Sequence, residues 1–278
     1  MDGGSVLEVW GDPIEHSLSP RLHTAAYERL GWPWTYGRRR VDAAEFAHEL
    51  DGLDGAFRGL SLTFPLKGRA HAAATVLDRP AQLTGAVNTL VFRRGERLGF
   101  NTDIGGIVAD VRAQGVEAVD VARVVGTGAT ATSALVALAE LGARTVEVVA
   151  RRPDAAQPLV VLGDRLSVAV SVAPLETVAP ASVPLTISTL PGGAALPDET
   201  ARRLAVGGGL LYDVVYGHWP TPLAATWSAA GSPAVNGLGM LLRQAVLQIR
   251  AFRSGDVDEP LPDEDAVVDV MARALVGD

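Results

Sequence analysis

Short apolar runs rich in β-branched residues alternate along this chain with stretches whose apolar positions recur at helical spacing, which is the pattern of an α/β protein. Val6–Gly11 reads as a first strand, and Ser19 before Pro20 as N-cap and first residue of a helix to about residue 30. Residues 34–41 make a second strand, with Arg38, Arg39 and Arg40 on its solvated end. Asp42-Ala43-Ala44-Glu45 has the form of a capping box and opens a helix to about residue 53. A third strand ends at Leu60-Ser61-Leu62, a fourth covers residues 86–92, and a turn at Arg94-Gly95-Glu96 leads into residues 97–100. Thr102 or Asp103 then caps a helix to about residue 114.

The second half opens on Val121–Val125, a Gly126-Thr127-Gly128 turn, a helix from Ala129 that Gly142 stops, and the strand Thr145–Ala150. That is a βαβ unit with glycines where the first strand must turn sharply into the helix. In Gly-x-Gly-x-x-Ala the first glycine permits the turn, the second lets a pyrophosphate approach the backbone, and Ala131 keeps helix and strand close. The free N–H groups of the helix then face the phosphates. The competing reading is an ordinary βα turn. At the end of the second strand, where NAD binders place an acid for the ribose 2′-hydroxyl, stand Ala150, Arg151 and Arg152. Two guanidiniums suit a 2′-phosphate, favouring NADP, unless they are a solvated pair. Residues 168–172, 185–188 and 210–215 are further strands and Asp198–Ala205 a short helix. Helices also open at Thr221-Pro222 and at Gly237, and an amphipathic helix over residues 263–275 packs back on the first domain.

Composition narrows the function classes. The 278 residues, 48% apolar with 5 Trp, suffice for two packed cores. With 32 acidic against 24 basic residues the net charge of -8 disfavours nucleic acid as a partner, so an anionic substrate must be caught by local groups. Without cysteine there is no disulfide, thiolate nucleophile or iron–sulfur site, and the five histidines, 16, 23, 48, 71 and 218, carry no metal-binding motif. No targeting segment or long apolar run stands at the start, so a soluble, cytoplasmic protein with no membrane partner is expected.

Chemistry-bearing residues gather near strand ends, where open α/β sheets bind ligands. Ser17 and Ser19 beside a helix N-terminus could cradle a carboxylate or phosphate, or Ser19 could merely cap. Thr63 and Lys67 project from the third strand's carboxyl edge, although a lone lysine is ordinarily solvated. Asn88 interrupts an apolar run and must be either a structural tie or a ligand contact. Asp103 could serve as a cap alone, and a helical Gln244 would ordinarily face solvent.

Taken together, H-S-L-S-P (16–20), S-L-T-F-P-L-K (61–67), G-A-V-N-T-L (85–90), F-N-T-D-I-G-G (100–106), G-T-G-A-T-A (126–131), Y-D-V-V-Y (212–216), T-P-L (221–223) and G-M-L-L-R-Q (239–244) resemble shikimate dehydrogenases in content and order. The resemblance implies an N-terminal α/β substrate domain, residues 1–102, completed by helices in 237–278, and a Rossmann-type doubly wound NADP-binding domain, residues 103–236. It implies reversible reduction of 3-dehydroshikimate to shikimate, a step toward chorismate and the aromatic amino acids; whether the chain acts as a monomer or homodimer is not legible in the sequence. Ser17 and Ser19 then match the pair that holds the substrate carboxylate, and Thr63, Asn88, Asp103, Tyr216 and Gln244 the contacts around the ring hydroxyls. Lys67 matches the catalytic lysine, paired with Asp103. Gly126, Thr127, Gly128, Ala129 and Thr130 match the phosphate turn, Ala150, Arg151 and Arg152 the adenosine-phosphate segment, and Val214 and Gly237 the nicotinamide end. The chain departs from the family pattern in having Ala150 and Arg152 around the central Arg151, where Asn-Arg-Thr is common, and Ala129 in place of a glycine. A quinate or aminoshikimate dehydrogenase of the same family, and a non-catalytic nucleotide-binding paralogue, are the alternatives. The paralogue would be marked by loss of Lys67 or Asp103, and both are present.

Overall fold

The alternation folds into two six-stranded sheets in a computed structural model that describes residues 5–194, 196–217 and 219–276. His218 lies outside the described residues. The chain divides into two compact units, residues 1–106 with 241–278, and residues 107–240. Each dividing point lies inside a helix, four residues beyond the expected 102/103 and 236/237 junctions. Asp103 therefore belongs to the first unit and Gly237 to the second.

In the first unit the order is β1 (Val6–Gly11), α1 (Ser19–Leu30), β2 (Thr35–Arg40), α2 (Phe46–Asp51), β3 (Phe57–Leu62), α3 (Lys67–Ala73), β4 (Val76–Leu77), α4 (Arg79–Thr84), β5 (Thr89–Arg93), β6 (Glu96–Phe100) and the start of α5 (Asp103–Ala113). The sheet runs β2-β1-β3-β5-β6-β4. Its strands β2, β1 and β3 are parallel, whereas β5 runs against both β3 and β6. The reversed β5 matters for function. Its first residues lie beside the last residues of β3 and β6, with Ser61 opposite Thr89 and Thr89 opposite Phe100. Loops following β1, β3 and β6 and the segment leading into β5 thus meet at one sheet edge.

A core of Trp10, Phe46, Leu60, Leu62, Leu66, Val87 and Leu90 lies under that edge. Each such side chain contributes about 1.5–3 kcal/mol when fully buried. The expected capping box forms, because Glu45 accepts the Asp42 N–H at 3.2 Å while Asp42 accepts the Glu45 N–H at 2.9 Å. Arg39 and Arg40 do structural work, Arg39 bridging Glu8 and Glu49 and Arg40 pairing with Asp12. Strand β4 and helix α4 were not legible in the sequence as such. The helix forms where Asp78 caps it ahead of Pro80, accepting the Ala81 N–H at 2.7 Å. Strand β5 begins at Thr89 rather than residue 86, which leaves Asn88 just ahead of it.

The second unit continues α5 and adds β7 (Val121–Val125), α6 (Ala129–Glu140), β8 (Thr145–Ala150), α7 (Gln157–Leu166), β9 (Ala169–Pro174), β10 (Val183–Ser188), α8 (Asp198–Ala205), β11 (Gly208–Asp213), α9 (Pro222–Ala229) and β12 (Ala234–Val235). All six strands are parallel in the order β12-β11-β10-β7-β8-β9. That is the doubly wound dinucleotide-binding order, which reverses direction between β7 and β10. Helix α7 and strand β12 were not anticipated. Strand β11 stops at Asp213, two residues short of the expected end, because Asp213 turns its carboxylate onto the Val215 N–H at 3.2 Å and the Thr221 hydroxyl at 2.8 Å. In the middle of this sheet the fully buried Arg123 pairs with Glu147 at 2.6 Å.

The chain closes with α10 (Leu238–Ser254) and α11 (Glu264–Val276). Helix α11 packs on α1 within the first unit. No helix among the described residues is long and apolar enough to cross a membrane.

Candidate active site

At the shared edge of the first sheet, Lys67 is the first residue of α3, and its carbonyl oxygen accepts the Val87 N–H at 3.0 Å. Its Nζ donates to Asp103 Oδ2 at 2.5 Å, with side chains 13% and 6% exposed. An ion pair this well covered loses the hydration of both partners and holds only if other groups complete its bonding. Asn88 supplies that completion. It is 2% exposed, and its Nδ2 donates to Asp103 Oδ1 at 2.7 Å and to Thr102 Oγ1 at 2.9 Å. Its Oδ1 accepts the Thr102 N–H at 3.0 Å and the Thr89 hydroxyl at 2.9 Å. Asn88 is thus a structural tie, and what it ties is the carboxylate facing the lysine.

The neighbouring residues converge on the same edge. Thr63 follows β3, donating its N–H to Trp10 O at 2.9 Å and accepting the Leu66 N–H at 2.7 Å. A Cβ on Gly11 would come within 2.4 Å of the Thr63 methyl, so the ends of β1 and β3 approach this closely only because Gly11 has no side chain. Ser17 and Ser19 follow β1. Ser19 is the first residue of α1 and buried; the N-cap position expected of Ser19 falls instead on Leu18, which offers no side-chain cap, and Ser17 Oγ accepts the Ser19 N–H at 3.3 Å. Gln244, expected in solvent, is 7% exposed. It turns inward because α10 crosses over Asn88 and Thr102, whose Nδ2 and hydroxyl each lie 3.4 Å from Gln244 Oε1. Thr89, Thr102 and Gln248 belong to the same cluster. Sequence reasoning gave them no role there, although Thr89 and Thr102 stand inside the quoted motifs.

In the second unit the turn after β7 meets its expected constraints. Gly126 has φ +119° and a Cβ there would fall 2.3 Å from Thr189 Oγ1, so only glycine fits. Gly128 has φ −81°, and a Cβ on it would meet no atom within 4 Å. Its lack of a side chain is therefore explained by nothing in the protein, and fits a ligand that must lie against the backbone. Ala129 and Thr130 start α6, whose free N–H groups favour an anion at that point. Arg151 and Arg152 follow β8, both exposed and with no acidic partner among the described residues. These groups fit the pyrophosphate and 2′-phosphate of NADP.

Thr189, at the end of β10, donates its N–H and hydroxyl to Val125 O at 2.9 and 3.0 Å and so fixes the back of the turn. Val214 and Gly237 meet, as a Cβ on Gly237 would lie 2.1 Å from Val214 O. Tyr216 lies on the same loop beyond β11, and burial pushes its hydroxyl pKa up. A small cavity bordered by Ser188, Pro191, Asp213, Val215 and Thr221 opens at this edge. No cluster of three or more His, Asp or Glu side chains suited to a metal ion occurs among the described residues.

Comparison with known proteins agrees with this geometry. Residues 9–90 match the family described as shikimate dehydrogenase substrate binding domain. The chain is 36% identical over 262 residues to the shikimate dehydrogenase (NADP(+)) of Citrifermentans bemidjiense, covering 89% of each, and 34% identical to that of Rubrobacter xylanophilus, covering 99% of this chain and 96% of the relative. Among solved structures, the shikimate dehydrogenase of Mycobacterium tuberculosis superposes with a TM-score of 0.84 at 38% identity, covering 96% of this chain and 99% of that one. The shikimate 5-dehydrogenase of Thermus thermophilus, solved with NADP(H) and shikimate, gives 0.80 at 30% identity, covering 97% and 99%. From its paired sheets, its lysine–aspartate cluster and these relatives, the chain belongs to the shikimate dehydrogenase family.

Proposed function

We propose that this protein catalyses the reversible NADPH-dependent reduction of 3-dehydroshikimate to shikimate in the cytoplasm, with the ring held by the first unit and the dinucleotide by the second. The observation that carries the reading is the Lys67–Asp103 pair, charged, covered and braced by Asn88 at a sheet edge rimmed with hydroxyls.

NADPH supplies the hydride. As it reaches the ketone carbon the oxygen gains negative charge, and Lys67 Nζ donates the proton that completes the alcohol; in the oxidation direction it takes that proton back. General acid–base help of this kind contributes roughly 10²–10⁴ in rate. Asp103 aims the ammonium and balances its charge. Ser17 and Ser19 hold the substrate carboxylate, and Thr63, Tyr216 and Gln244 bond the ring hydroxyls, while Asn88, its amide taken up by Asp103, Thr102 and Thr89, serves the site by holding Asp103. Because the net charge of -8 gives no long-range attraction for an anionic ring acid, those local donors must do the capture. Gly126 to Thr130 cradle the pyrophosphate, Val214 and Gly237 border the nicotinamide, and Arg151 and Arg152, following Ala150, take the 2′-phosphate that distinguishes NADP from NAD.

Absorbance of the reduced nicotinamide, followed with shikimate and with quinate and with NADP and with NAD, tests the proposal. Shikimate with NADP should give the highest kcat/KM; faster turnover of quinate with NAD would transfer the protein to the quinate-oxidising branch. Binding of NADPH and shikimate without turnover would make it a sensor.

A further inference from the structure

Behind the catalytic edge of the first unit lies a buried polar file that the reaction as described does not use. We infer that Thr89 and Gln248 are positioning residues, which through a hydrogen-bond chain of a single sense hold the Asn88 amide, and through it the Asp103 carboxylate, in the rotation that faces Lys67. The inference rests on the assignment of Lys67 and Asp103 to the acid–base step.

The sense of the chain follows from groups that can only donate or only accept. Gln248, on α10 and 2% exposed, lies 3.2 Å from Asn88 O through its Nε2. A backbone carbonyl only accepts, so Nε2 is the donor end, and the same NH₂ reaches Thr89 Oγ1 at 3.1 Å. Gln248 Oε1 therefore faces the other way, taking the Ser61 hydroxyl at 2.9 Å and His23 Nε2 at 3.3 Å. His23 is fully buried against Tyr36, their rings stacked at 3.9 Å, and burial pushes its pKa down to about 3. The neutral ring thus carries its proton on Nε2 for Gln248, and its Nδ1 accepts from the Tyr27 hydroxyl at 3.0 Å. Tyr36 adds a branch by donating to Ser61 Oγ at 2.6 Å.

At the other end, Thr89 Oγ1 has accepted from Gln248, so its proton goes to Asn88 Oδ1 at 2.9 Å. The Thr102 N–H, which can only donate, reaches the same oxygen at 3.0 Å and excludes the flipped amide. Asn88 Nδ2 then donates to Asp103 Oδ1 at 2.7 Å, leaving Oδ2 for Lys67 at 2.5 Å. Every link from Tyr27 to Asp103 points toward the carboxylate. Hydrogen bonds aligned in this way polarise one another, so a deletion inside the file weakens the last link and frees the carboxylate to rotate.

Thr89→Val keeps the shape and removes the hydroxyl, Thr89→Ser restores the hydroxyl without the methyl, and Gln248→Met removes the amide at similar length. With shikimate and NADP, Thr89→Val and Gln248→Met should each lower kcat about five- to tenfold with KM for NADP unchanged, and Thr89→Ser should return kcat to within twofold of wild type. A folded Thr89→Val or Gln248→Met with wild-type kcat overturns the inference. So does a Thr89→Ser as slow as Thr89→Val, which would make the methyl's packing the cause. Lack of turnover in the wild-type protein would instead refute the assignment of Lys67 and Asp103, so the two failures are distinct.

Discussion

Alanine at Gly126 and at Gly128 should damage the protein in opposite ways, though the two positions are separated by one residue. At Gly126, φ +119° is open to glycine alone, and holding another residue in such a region costs about 1–3 kcal/mol. The new Cβ would also lie 2.3 Å from Thr189 Oγ1 and displace that hydroxyl from its 3.0 Å bond to Val125 O, at a further ~1 kcal/mol. The sum, about 2–4 kcal/mol, falls on the ligand-free fold and corresponds to a Tm lower by roughly 3–8 °C for a protein of this size. At Gly128, φ −81° and ψ −176° suit alanine, and the Cβ meets nothing within 4 Å, so stability should change by less than about 0.5 kcal/mol. The methyl would stand where the pyrophosphate must approach, and the Kd for NADPH should rise at least ~10-fold, or about 1.4 kcal/mol. Urea unfolding of the ligand-free variants and fluorescence titration with NADPH separate the two effects. An unchanged NADPH affinity in Gly128→Ala would refute the reading of this turn as a phosphate site, and an undiminished stability in Gly126→Ala would refute the strain argument.

Three further outcomes are expected. Lys67→Ala should lower kcat by at least ~10² with shikimate binding, read by calorimetric titration, largely retained; a near-normal kcat would remove the lysine from proton transfer. Arg151→Ala should raise KM for NADP far more than for NAD, and equal effects would mean that another group reads the 2′-phosphate. Burial pushes the Asp78 carboxyl up to about 6 despite its bonds from the Ala81 and Asn101 N–H groups. Because it ionises later in the folded chain than in the unfolded one, its contribution to stability declines as pH rises from about 4 through 6, and the wild-type urea midpoint should fall relative to that of Asp78→Asn across this window. Parallel midpoints would show that Asp78 titrates normally.

Strong periodicity made the βαβ unit that opens the second sheet legible. The run Val121–Val125, the glycine turn and Thr145–Ala150 form where the sequence puts them, because a buried parallel strand and a helix with a fixed start leave little freedom. Elements stabilised by a single cap or by edge pairing were not legible, as with the six-residue helix behind Asp78 and the two-residue strand Ala234–Val235. Lys67 and Asp103 could be named from their motifs, yet no spacing announces that a reversed strand brings them together. Gln244 and Gln248 look like solvent-facing helical amides until the sheet beneath α10 presents them with Asn88, Thr89 and Thr102. The burial of a polar side chain is decided by what packs over it, which local sequence does not contain.

Strand β5, laid against its neighbours, sends its turn at Arg94 and Gly95 to the margin of the sheet remote from the chemistry. Both residues are exposed, and Arg94 is held in the left-handed region at φ 52°. Lengthening this hairpin, or attaching a fluorophore or a fused peptide at its tip, alters neither the register of Thr89 with Phe100 nor the loops beyond them. It is the natural handle for tethering the first unit by the end of its sheet remote from Lys67 and Asp103.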